Sequence, residues 1–124
     1  MTDARVLFHG TTDVYLAGKN ARRSSYGHAD GPVDLDESPL TPMGYANSRA
    51  RSHDASPVLL VVSVPAVADR LRGYPGPQPQ IDELWRQEYF SLEVPILSIG
   101  DREFFRLIAR EARRNFGINI DLRI

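Results

Sequence analysis

The run Val58–Val64, VLLVVSV between Pro57 and Pro65, determines what kind of sheet this chain builds. Apolar and β-branched residues follow one another there without the period-two alternation of a half-exposed strand, which predicts a central strand covered on both faces. The flanking prolines cannot donate to a ladder, so the strand ends near each of them. Toward the N-terminus, Arg5–His9 (RVLFH) predicts a second buried strand that delivers His9 at its end and enters a turn at Gly10-Thr11-Thr12. Pro32–Asp36 (PVDLD) makes a short strand. Thr41 as N-cap with Pro42 at the first helical position starts a helix running to about Arg51.

Toward the C-terminus, Ala66–Arg72 suggests a short helix, and Gly73–Gln80 (GYPGPQPQ) is too rich in Pro and Gly for regular structure. Rough alternation predicts a strand over about Gln87–Glu93. Asp101 caps a helix reaching about Asn115, and Ile118–Ile124 (INIDLRI) alternates as a final strand. Leu16–Gly31, with little periodicity, reads as a long mobile loop of the kind that is usually functional. Short scattered strands with a few helices give an α+β class.

The chain has 124 residues, 42% hydrophobic and 25% charged, which fits one globular domain over 1–124 and excludes a disordered tail. Its longest apolar run, Pro57–Ala66, is far short of the roughly 20 residues a membrane span requires. The first residues, MTDARVLFHG, lack the basic and apolar regions of a secretory signal, so a cytoplasmic location and no membrane partner are expected. Without cysteine there is no disulfide, thiolate nucleophile or Cys-based metal site. The formal charge of -1 gives no global attraction to nucleic acid, although fourteen of the fifteen basic residues are Arg.

Three segments carry candidate chemistry: FHGTT at 8–12, VDLDESPLTPMGYA at 33–46 and RQEYFSLEVPI at 86–96. An imidazole at a strand end can hydrogen-bond a sugar hydroxyl, and a glycine beside it leaves its backbone open to a ligand amide. A carboxylate stabilises positive charge developing on a ribose, and an aromatic face covers a planar ring. In order and type these segments resemble the ADP-ribosyltransferase superfamily, whose strand–helix unit in the poly(ADP-ribose) polymerase branch matches Val33–Tyr45 in length and layout. The resemblance covers about residues 5–100, and His9-Gly10-Thr11 is its most specific part.

The resemblance implies a small split antiparallel sheet core with short flanking helices. The implied activity is cleavage of the nicotinamide–ribose bond of NAD and transfer of ADP-ribose to a macromolecular acceptor, protein or nucleic acid, in an effector, toxin, resistance or housekeeping role. NAD serves as substrate and no metal is needed. Glu88 and His9 are the implied catalytic residues; His9, Gly10, Thr11 and Tyr45 bind NAD. Arg22 and Arg23, in the loop, are candidates for its pyrophosphate because guanidinium forks match phosphate oxygens.

Asp34 stands where many relatives carry an aromatic or His, so the nicotinamide-facing set includes Asp34, with Tyr26 of the loop as the alternative ring cover. Arg86, two residues before Glu88, replaces the Gln or Glu of arginine-modifying relatives, so arginine is not the favoured acceptor. Two other readings stand beside this one. The first is a non-catalytic NAD- or ADP-ribose-binding module, which Asp34 would suit. The second is an NAD-dependent RNA 2′-phosphotransferase, which needs Arg residues such as Arg86 beside Glu88. His28, Asp30, Asp34 and Asp36 form a weak metal-ligand set. Arg106, Arg110, Arg113 and Arg114 make a basic stripe along the last helix, balanced by Asp101, Glu103 and Glu111.

Overall fold

In the computed structural model, residues 5–20, 25–27, 31–76, 78–85, 92–117 and 119–120 are described. Strand β4 (Pro57–Ser63) lies between β1 (Val6–Thr12) and β7 (Leu92–Pro95) in a three-stranded antiparallel sheet. The pairing sets Phe8 opposite Val61, Gly10 opposite Leu59, and Leu59 opposite Val94. Its unbroken apolar sequence follows from that place. Val58, Leu60 and Val62 point into one core with Leu7, Leu16, Val33, Leu35, Ile81 and Leu84. Leu59 and Val61 point into a second with Val6, Phe8, Met43, Val94, Phe104, Phe105 and Ile108. A strand buried on both faces has no polar side to alternate with.

Helix α1 (Asp13–Asn20) follows β1 directly. Two-stranded antiparallel ladders join β2 (Ser25–Gly27) to β6 (Glu83–Trp85) and β3 (Val33–Asp34) to β5 (Gln80–Ile81). Helix α2 (Leu40–Ser52) packs on β1 and β4, and a short helix α3 (Val64–Val67) runs into a 3-10 turn at Ala68–Arg70. Helix α4 (Asp101–Phe116) closes the second core with Phe104, Phe105, Ile108 and Ala112 buried, and ends at Gly117 in the left-handed region, φ 67°. The architecture is a small α+β protein with antiparallel sheets, as expected, and among the described residues no helix is long and apolar enough to cross a membrane.

Several local expectations are corrected. Strand β1 does not stop at His9 but continues through Gly10, Thr11 and Thr12, because β4 offers partners as far as Pro57. The segment after Leu16 is not loop throughout. Leu16 is buried in the first core and anchors α1, whose first turn is tied by Thr12 Oγ1 accepting from Tyr15 N–H (3.2 Å). Tyr26 accordingly sits in a strand, opposite Leu84.

Thr41 is not an N-cap; α2 begins two residues earlier, after Pro39, where Ser38 Oγ accepts from Leu40 N–H (3.3 Å). Gly100, not Asp101, caps α4, and Asp101 sits in its first turn, where a carboxylate suits the helix dipole. The strand expected at Gln87–Glu93 falls mostly outside the described residues, and the described strand is Leu92–Pro95. Asn119 and Ile120 are not in a strand; Ile118 and 121–124 lie outside the described residues.

Candidate functional site

The site begins with the unpaired edge of β1. Phe8 exchanges both backbone hydrogen bonds with Asp36 (Phe8 N–H to Asp36 O, 2.8 Å; Asp36 N–H to Phe8 O, 2.9 Å) on the side away from β4. In an antiparallel ladder the backbone groups of alternate residues point to the same side, so the N–H and C=O of Gly10 also face away from β4. Asp36 is the last residue to follow this edge before the chain bends through Glu37–Pro39 into α2. Gly10 is therefore buried with a donor and an acceptor that have no hydrogen-bond partner among the described residues. Buried backbone groups are paired in the great majority of cases, so this pair asks for an occupant.

Glycine is required there for packing as well. A β-carbon on Gly10 would lie 2.0 Å from the carbonyl oxygen of Pro42 and 3.1 Å from Cβ of Ala46. Helix α2 thus lies directly on β1, and its next turn brings Tyr45 over the strand's open edge.

His9 points to the opposite face of the strand and is nearly buried, 7% exposed. Its Nδ1 lies 2.7 Å from the backbone oxygen of Asp34. A carbonyl only accepts, so Nδ1 carries the proton and donates, and in the neutral ring Nε2 is an acceptor. This fixes the ring's orientation through β3.

His9, Gly10, Asp34 and Tyr45 meet in one cleft of about 420 Å³, together with Asp36, Thr41, Pro42 and Gln78. That volume lies in the range of small-molecule sites. The carboxylate of Asp34 is held by Gln80, whose Nε2–H donates to Oδ1 (2.8 Å). Among the described residues, two carboxylates and no Lys or Arg line this cleft. Tyr45 is 52% exposed, and the guanidinium of Arg49 lies over its ring, 5.8 Å from the centroid.

Of the residues expected at the site, four are therefore gathered. Thr11 is buried and lines a neighbouring cleft with Tyr45 rather than this one. Glu88, Arg22, Arg23 and Arg86 lie outside the described residues, as do His28 and Asp30, and only the backbone of Tyr26 is described. Among the described residues no group of three His, Asp or Glu side chains is placed to hold a metal. Sequence reasoning missed Thr41, Gln78 and Arg49. Arg49 had a signal, since it lies four residues after Tyr45 on the same helix and so shares its face.

No family model matches the chain, and no curated protein or solved structure matches it significantly.

Proposed function

We propose that this chain is an NAD-dependent ADP-ribosyltransferase of the fold that the His9-Gly10-Thr11 motif implies, transferring ADP-ribose to a protein or nucleic-acid acceptor. The observation that carries the reading is the unpaired N–H and C=O of Gly10 on a buried strand edge, inside a cleft shared with His9 and Tyr45. One donor and one acceptor from a single residue are complementary to a primary carboxamide, the polar group of nicotinamide. The acidic lining suits the positive charge of the pyridinium ring and of the ribose that forms when it leaves.

In this reading Gly10 holds the carboxamide, Tyr45 covers the ring, and Nε2 of His9 accepts from a ribose hydroxyl. The bond between ribose C1′ and the nicotinamide nitrogen breaks, and its electron pair stays with nicotinamide. An acceptor oxygen or nitrogen then bonds to C1′ and loses its proton. Glu88 is the carboxylate assigned to the ribose, where it stabilises the cationic sugar. The test is nicotinamide release from NAD by wild type and Glu88→Gln. Release by the wild type and its loss in the variant are expected; equal release from both would remove Glu88 from the mechanism.

A binding module without turnover has one observation in its favour. Asp34, tied to Gln80, occupies the cleft where an aromatic ring would otherwise stack. It predicts that nicotinamide raises the melting temperature of the wild type while NAD is never cleaved with any acceptor.

A further inference from the structure

Gly10 and Tyr45 also line a second cleft, of about 300 Å³, which His9 does not line. Its other lining residues are Thr11, Thr12, Val14, Tyr15, Arg49 and His53. The two clefts differ in charge. Among the described residues, the first is lined by Asp34 and Asp36, whereas the second is lined by no carboxylate and by Arg49 and His53. Arg49 lies in the last turn of α2, and His53 is the residue that caps the helix, its backbone N–H donating to the carbonyl oxygen of Arg49 (3.0 Å).

Both are available to a ligand. Neither has an ion pair with an acidic residue among the described residues, and the guanidinium of Arg49 lies over the Tyr45 ring, whose face takes up none of its N–H donors. Two acids adjoin the residues of this cleft in sequence without lining it: Asp54, which follows His53, and Asp13, beside Thr12, whose Oδ1 accepts from the backbone N–H of Val14 (2.8 Å) and of Ser56 (2.9 Å).

We infer that this second cleft is a phosphate-ester subsite in which Arg49 and His53 grip the phosphate oxygens, and Tyr15 and Tyr45 flank the group attached to them. A phosphate offers several oxygens to share between two donors, one in the last turn of α2 and one at its cap, whereas a carboxylate is filled by the arginine fork alone. The inference rests on the proposed function in one respect: the phosphate belongs either to the pyrophosphate of NAD or to the acceptor. The subsite itself stands on the cleft and its charges. It gives Arg49 and His53 an anion-binding role beside the one expected of Arg22 and Arg23, which lie outside the described residues.

The test is isothermal titration of the full chain, as wild type, Arg49→Gln and His53→Gln, with inorganic pyrophosphate, ADP-ribose, nicotinamide, NAD and a 5′-phosphorylated oligonucleotide, folding being checked by thermal melting. Pyrophosphate and ADP-ribose are expected to bind the wild type and to weaken roughly tenfold in Arg49→Gln and several-fold in His53→Gln, with nicotinamide unchanged in His53→Gln. His53→Gln leaves the Tyr45–Arg49 stack intact, so its effect is not a loss of ring cover. Pyrophosphate affinity equal in all three proteins, or no pyrophosphate binding by the wild type, would overturn the subsite. Pyrophosphate binding lost in the variants while nicotinamide never binds would uphold the subsite and defeat the NAD reading instead. NAD affinity falling with that for pyrophosphate assigns the phosphate to NAD. NAD affinity unchanged, with weaker binding of a 5′-phosphorylated oligonucleotide, assigns it to the acceptor.

Discussion

Gly10 and Pro42 touch backbone to backbone: a β-carbon on the glycine would lie 2.0 Å from the proline's carbonyl oxygen. That contact sets α2 on the edge strand and so sets the width of both clefts. In Gly10→Ala, either the helix lifts or the strand bends, and overpacking of this kind costs about 1–3 kcal/mol. A lower urea midpoint with an unchanged slope is the expected result, together with weaker nicotinamide binding. An unchanged midpoint would mean that α2 is not seated on β1 as described.

Among the contacts that hold His9, the bond from Nδ1 to the Asp34 carbonyl can be tested by substitution. His9→Phe keeps a planar ring on the first core but leaves the Asp34 carbonyl without its donor, which costs about 1–3 kcal/mol if that carbonyl stays dry. Stability is expected to fall by less than that where water reaches the exposed Asp34. Binding of NAD is expected to fall more than binding of free nicotinamide, because the ring nitrogen that meets the ribose is gone. Equal losses for both ligands would place His9 against the carboxamide instead.

Much of the sheet could be read before any coordinates, because burial on both faces leaves a direct mark: VLLVVSV can be little else than a covered strand. The helix at Asp101–Phe116 was legible for the same reason, its buried Phe104, Phe105, Ile108 and Ala112 falling at helical spacing. Helix α1 was not, since Leu16 alone carries its burial in the described core and its neighbours Gly18, Lys19 and Asn20 are those of a loop. The β3–β5 ladder pairs only Val33 with Ile81 and Asp34 with Gln80, too short for any periodicity to register. At the site, the motif located His9 and Gly10. It set Gly10 in a turn, however, because the approach of Pro42 that demands a glycine in mid-strand is a tertiary contact between segments more than thirty residues apart.

The two cores lie on opposite faces of one sheet, and that separation has an energetic signature. Ile81 belongs to the first and Ile108 to the second, both almost fully buried. Each Ile→Val change is expected to cost about 0.5–1.5 kcal/mol. With β4 between them and no shared partner, the double variant should equal the sum of the singles within about 0.5 kcal/mol. A coupling clearly larger than that, measured by urea unfolding, would show that the faces repack together.

Tyr45 lines both clefts while half of it is exposed, so its role in binding separates from its role in stability. Its neighbours Met43 and Ala46, not the tyrosine, carry the buried face of α2. Tyr45→Ala is therefore expected to change stability by no more than about 0.5 kcal/mol, as surface substitutions usually do. It should weaken nicotinamide, by removing the ring's cover, and also pyrophosphate, because Arg49 loses the ring that its guanidinium lies over. Tyr45→Phe keeps the ring and should retain both affinities within about two-fold, since stacking and cation–π attraction need the aromatic face and not the hydroxyl. If Tyr45→Ala lowered only one of the two affinities, the clefts would not be coupled through this side chain. If Tyr45→Phe were as weak as Tyr45→Ala, the hydroxyl would be the group that binds, and the stacking role would be wrong.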